Sequence, residues 1–97
     1  ASLVTSVIEN NSPASKLMIF PNPTSDLATI AFEGFENSDI EISLVNILGE
    51  VVFSKKINSS AYLDYYNLDV SLLSNGIYNV VAKSNGKMTT KKLQILK

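Results

Sequence analysis

LSNGIYNVVAKSNGKMTTKKLQILK, residues 73–97, holds two runs of strand-forming residues on either side of Asn85-Gly86. An Asn-Gly pair between two such runs marks a two-residue β-hairpin, because both turn positions need φ > 0 and these two residue types reach it at least steric cost. On the first arm Tyr78, Val80 and Ala82 share one face; on the second, Leu93 and Ile95 do. One side of the hairpin is therefore written for a core. The stretch also carries Lys83, Lys87, Lys91, Lys92 and Lys97 and no acidic residue, so the chain ends in a basic strand.

Upstream of this hairpin the same grammar repeats. Residues 17–20 form a short apolar strand stopped by Pro21-Asn22-Pro23, where two missing backbone donors and a fixed φ place the strand at a sheet edge. Asn22-Pro23-Thr24-Ser25 fits a type I turn, with Asn first and Pro second. Residues 27–33 follow as a strand with Ile30 and Phe32 on one face. In residues 39–47 Ile40, Ile42 and Leu44 point inward and Glu41 and Ser43 outward; Val45 and Ile47 then break the phase, which predicts a bulge or a doubly buried strand end. Gly49 turns the chain into residues 50–58, where Val51, Phe53 and Ile57 share a phase. Residues 62–70 make a long strand, and 71–75 a tight turn that packs Leu73 before Gly76. Gly76 is expected either to take a left-handed conformation or to let another backbone pass close. Tyr78 is expected to pack, with its hydroxyl on a backbone group.

About seven short antiparallel strands, no helix, and turn signals every ~8–12 residues predict an all-β, immunoglobulin-like β-sandwich. The Cys…Trp…Cys signature of antibody domains is absent, so only the layout is of that kind. With 97 residues there is room for one domain. Residues 1–16 are read as a linker and the end of an upstream region, with a weak strand pattern at 3–8, and residues 17–97 as the domain. The start, ASLVTSVIENN, has neither the basic nor the apolar segment of a signal peptide. No apolar run approaches the roughly 20 residues of a membrane-spanning helix.

Composition narrows the chemistry. Cysteine, histidine, arginine and tryptophan are all absent, which removes disulfides, the imidazole base, the thiolate nucleophile and the ordinary zinc ligands. The carboxylate pairs Asp39/Glu41 and Asp64/Asp69 are not forced to the spacing of a glycosidase. No Asp-rich loop of the calcium-binding type occurs. The chain therefore reads as a non-enzyme with no cofactor and no metal. Adjacent Tyr65 and Tyr66 face opposite sides, so at most Tyr62 with Tyr66, or Tyr65 alone, could form an outer aromatic patch for a sugar. Charge is uneven: residues 1–54 hold Lys16 against seven carboxylates, and residues 55–97 hold seven lysines against Asp64 and Asp69. A sequence pI of about 5.2 and the lack of arginine speak against nucleic acid.

Four segments stand in a fixed order: FPNPTSD at 20–26, NILGEVV at 46–52, DVSLLSNGIYNV at 69–80 and KMTTKKLQILK at 87–97. Together they resemble the type A C-terminal sorting domain of the type IX secretion system of Bacteroidota. The family signature falls on Phe20, Pro21, Asn22, Pro23, Gly49, Leu73, Gly76 and Tyr78, residues whose backbone and packing roles are structural, and on Lys91, Lys92, Leu93 and Ile95 at the end. Phe20 stands where tyrosine is commoner, and Asn75 where alanine or proline is frequent. The resemblance implies an address on an attached cargo. That cargo transits the periplasm, is read by the outer-membrane translocon and its shuttle proteins, and reaches the cell surface or medium. A sortase-like peptidase commonly removes the domain, here within Asn10, Asn11, Ser12, Pro13, Ala14 and Ser15. The final strand, with Lys91, Lys92, Leu93, Ile95 and Lys97, is expected to be the translocon contact, by charge or by strand addition. Deleting residues 93–97 is expected to hold cargo in the periplasm. The alternative is a carbohydrate-binding or structural Ig-like module of a secreted multidomain protein.

Overall fold

Strict alternation makes each strand one-sided, and one-sided strands are stable only when two sheets bury their apolar faces against each other. In the computed structural model, which describes residues 16–35 and 38–97, seven strands do this. They are β1 (Lys16–Phe20), β2 (Leu27–Glu33), β3 (Ser38–Val45), β4 (Val51–Ser59), β5 (Leu63–Asp69), β6 (Gly76–Ser84) and β7 (Lys87–Ile95). One antiparallel sheet runs β1-β2-β5 and the other β4-β3-β6-β7. The chain passes from sheet to sheet after β2, β4 and β5, giving the immunoglobulin-like sandwich that strand count and spacing predict. The strand pattern at 3–8 and the segment 10–15 lie outside the described residues.

The core is the set that alternation selects. Ile30 and Phe32 of β2 and Leu68 of β5 face Ile40, Ile42 and Leu44 of β3, Val80 and Ala82 of β6, and Leu93 and Ile95 of β7. Phe35, just past β2, meets Phe32 edge-on at a centroid distance of 6.1 Å.

The Asn85-Gly86 hairpin forms as read, with φ of 52° and 78° at its two turn residues. It pairs β6 with β7 from Ser84–Lys87 to Gly76–Ile95 without a break. The phase slip after Leu44 is a register shift between Leu44 and Val45. It takes Val51 out of the phase it was expected to share with Phe53 and Ile57, and Val51 is exposed. Ile47, expected at the end of its strand, is instead 80% exposed in the β3–β4 turn.

A second departure concerns the Pro-Asn-Pro segment. The expected type I turn at 22–25 does not form. The Phe20-Pro21 and Asn22-Pro23 peptides are cis, and Thr24 instead bridges Ile95 in parallel across the molecule.

Ile42 is fully buried on β3, between β4 and β6. Ile42→Ala is expected to cost about 2–5 kcal/mol, and Ile42→Val about 0.5–1.5 kcal/mol, read from urea unfolding midpoints at constant slope.

Candidate functional site

β7 closes one end of the four-stranded sheet, so its backbone groups alternate between β6 and the outside. The outward groups belong to the even-numbered residues, because Lys92 O, Gln94 N, Gln94 O and Leu96 N all bond away from β6. Their partners come from the loop after β1. The Asn22 side chain donates to Lys92 O at 2.9 Å and accepts from Gln94 N at 2.9 Å. Thr24 N donates to Gln94 O, and Thr24 O accepts from Leu96 N, each at 2.9 Å. Pro21 and Pro23, which have no N–H, flank Asn22, and Pro23 falls between the two residues that pair. The Thr24 hydroxyl, in a buried residue, is spent on Leu27 O. This clasp ties the first strand of one sheet to the last strand of the other.

The residues expected to carry recognition therefore divide. Leu93 and Ile95 are 0% and 1% exposed and belong to the core, out of reach of a docking partner. Lys91 and Lys92 are exposed but project to opposite faces of β7, Lys91 in the phase of Leu93. Lys97 lies beyond the strand, held by its own contacts: its N–H donates to Asn75 Oδ1 at 3.1 Å, and its Nζ donates to Ser71 O. The three lysines do not form one patch.

The turn between β5 and β6 is built on the same end. The Ser71 hydroxyl, and after it the Ser71 N–H at 2.9 Å from Oδ1, hold the Asp69 carboxyl below its ordinary value, with a smaller pull from Lys97. Leu73 N donates to Val70 O at 3.0 Å, and Leu73 packs against the core as expected. The Tyr78 hydroxyl donates to Ser74 O at 2.8 Å, and the ring is buried. Gly76 has φ 156° and meets only the Tyr78 ring, 3.8 Å from where a Cβ would sit. Close passage of another backbone is therefore not its role.

Gly49, at φ 85°, stands in open space in the β3–β4 turn. There Asn46 Oδ1 accepts from Leu48 N and Glu50 N at 2.9 and 3.0 Å, and Asn46 Nδ2 donates to Glu50 Oε1 at 2.9 Å. This braced turn presents Ile47 and Leu48 to solvent.

Of the tyrosines, Tyr66 points inward and stacks on Phe53 at 6.3 Å. Tyr65 is exposed on the outer face of the three-stranded sheet, in register with Ala31 and Met18. The Tyr62 hydroxyl donates to Glu33 Oε2 at 3.3 Å. A depression of about 570 Å³ opens at the hairpin end, where Asp39 and Glu41 share the lining with Lys56, Lys83, Lys87 and Met88.

Phe20 and Pro21 thus lead into the clasp, Asn22 and Pro23 belong to it with Thr24, Leu73, Gly76 and Tyr78 form the β5–β6 corner, and Gly49 the opposite turn. The family described as the secretion system C-terminal sorting domain matches this sequence over residues 18–96. The chain belongs to that family. It is a type IX secretion C-terminal sorting domain. The fold of this sorting domain is similar to part of dimeric latent PorU from Porphyromonas gingivalis, with a TM-score of 0.60 and 23% identity over 86% of this chain. The matched part is 9% of that PorU chain. It is also similar to CHIR-AB1, with a TM-score of 0.50 and 15% identity, covering 87% of this chain and 97% of the other. No curated protein sequence matches it.

Signals for the clasp lay in the sequence unread: an Asn between two prolines offers its side-chain amide where the backbone lacks donors. Asn22→Ala is expected to lower stability by about 1–2 kcal/mol and to speed amide exchange at Gln94, measured by denaturation and hydrogen exchange. Asp69 gives a pH prediction. A carboxyl held low in the folded state contributes stability that is present above the ordinary value of 3.8 and lost as pH falls through the folded pKa. Between about pH 5 and about pH 2 the native protein should lose more thermal stability than Asp69→Asn does.

Proposed function

We propose that this domain is the address that takes an attached cargo protein through the type IX secretion system to the cell surface or the medium. The cargo enters the periplasm first. The outer-membrane translocon and its shuttle proteins read the folded domain, and a sortase-like peptidase cuts within residues 10–15, ahead of β1. The observation that carries this reading is the family match over residues 18–96. In support, the reading asks nothing catalytic of a chain without histidine or cysteine, and it assigns no cofactor and no small-molecule substrate. Lys91 and Lys92, exposed on the edge strand, are the recognition residues it favours.

A second reading, a carbohydrate-binding or spacer module, is favoured by one observation. Phe20, Met18 and Tyr65 are exposed on the outer face of the three-stranded sheet. That module would retain polysaccharide in a pull-down and would do nothing for export.

The test is a transplant. Residues 9–97 are fused to the C-terminus of a fluorescent protein carrying a periplasmic export signal, in a bacterium with a working type IX system. The expected result is fluorescence at the surface or in the medium, lost in a translocon mutant. Retention of the folded fusion in the periplasm would overturn the reading. Truncating residues 93–97 removes two core side chains along with any signal, so its retention could report unfolding alone. Lys91→Glu with Lys92→Glu leaves the core intact. It is expected to reduce export at least several-fold with an unchanged melting temperature.

A further inference from the structure

The edge of β7 is closed over only half its length. The clasp occupies the outward groups from Lys92 O to Leu96 N. By the same alternation the outward groups before it are Met88 N and O, Thr90 N and O, and Lys92 N. Among the described residues none of these five is bonded, and Met88, Thr90 and Lys92 are all exposed. Five backbone groups in a row match one extended strand of about five residues, each of whose inward-facing residues bonds one outward residue of β7.

The charges beside this window select its occupant. Lys87, Lys91 and Lys92 flank it; Lys87 shares the hairpin-end depression with Asp39 and Glu41, so the uncompensated positive charge lies at Lys91 and Lys92, and no acidic residue occurs in residues 70–97. The same lysines oppose pairing of one β7 edge with another, which disfavours a second copy of this chain. Because Lys91 and Lys92 project to opposite faces, two consecutive carboxylates on an incoming strand, which also alternate, reach both.

We infer that the open half of the β7 edge, residues 88–92, accepts an extended acidic peptide segment of another protein by strand addition, up to a stop set by Asn22. This rests on the sorting reading for who supplies the segment: it is the receptor's contact with the domain. The binding geometry itself stands on the edge. It also moves the contact from residues 91–97 to residues 87–92.

The probe is the acetylated, amidated peptide Glu-Glu-Thr-Val-Thr-Val, titrated into the full 97-residue chain and followed by amide exchange. Exchange is expected to slow at Met88, Thr90 and Lys92 and to stay unchanged at Gln94 and Leu96, which are already bonded. N-methylation of alternate peptide amides should abolish binding in one phase and leave it in the other, because only one set faces β7. A lysine-for-glutamate peptide should bind roughly tenfold more weakly. Thr90→Pro removes an outward N–H that no ladder bond uses, so it should keep the fold and lose the peptide. No binding, equal binding of both methylated peptides, or equal binding of the lysine peptide would each overturn the inference.

Export separates it from the reading it rests on. If the native domain exports the fluorescent fusion and a folded Thr90→Pro domain exports it equally, strand addition falls and the sorting role stands. If the native domain is not exported, the sorting role falls, and the peptide titration still decides the edge.

Discussion

No disulfide can tie the two sheets of this sandwich, since the chain has no cysteine, so beyond the connecting loops cohesion rests on burial of their facing side chains. Each fully buried Ile, Leu or Phe contributes about 1.5–3 kcal/mol relative to exposure, and the inner rows of β2, β3 and β7 supply most of them. That packing does more than stabilise. Because Leu93 and Ile95 are claimed by the core, β7 has one allowed register and one allowed face. The outward direction of Met88, Thr90, Lys92 and Gln94 follows from it.

Fixing β7 exposes an edge, and a sheet edge is a template for unwanted pairing. Among the described residues, a clasp from the other sheet covers part of this edge, and no further strand does. Asn22 imitates a strand residue with its side chain, and Thr24 does so with its backbone. Proline suits the position between them, Pro23, where no donor is needed. The opposite edge, β4, is treated differently: a register shift bends it near the Asn46 turn, and Lys55 and Lys56 are exposed along it. The two ends of the four-stranded sheet are therefore unlike, one bent and charged, the other half covered and half open.

Charge is redistributed by folding. In sequence the front is acidic and the back basic, yet Glu41 of β3 sits between Lys56 of β4 and Lys83 of β6 across the sheet. The two blocks interleave on that face, and the linear dipole largely disappears there. What survives is the rim of β7, where Lys87, Lys91 and Lys92 have no acidic neighbour on their own hairpin. The match to the sorting-domain family runs through this strand to residue 96, and the electrostatic signal stays at this edge of the sheet.

Local rules were enough for the strands. Alternation placed Ile40, Ile42, Leu44, Tyr78, Val80 and Ala82 inward, Asn85-Gly86 named its own turn, and the break after Leu44 announced the bulge, because each is a property of a few neighbouring residues. The same rules misplaced Val51 and Ile47, since a bulge shifts the phase of whatever follows it and only the partner strand shows by how much. They also gave Asn22-Pro23 a local turn. The sequence by itself determined seven one-sided strands, a basic final strand and a chain without thiol or imidazole chemistry. Only the tertiary structure decided which half of that strand is open. Asn22 and Lys92 are 70 positions apart, and the hydrogen bond between them exists only once two sheets have packed and brought the loop of one against the edge of the other.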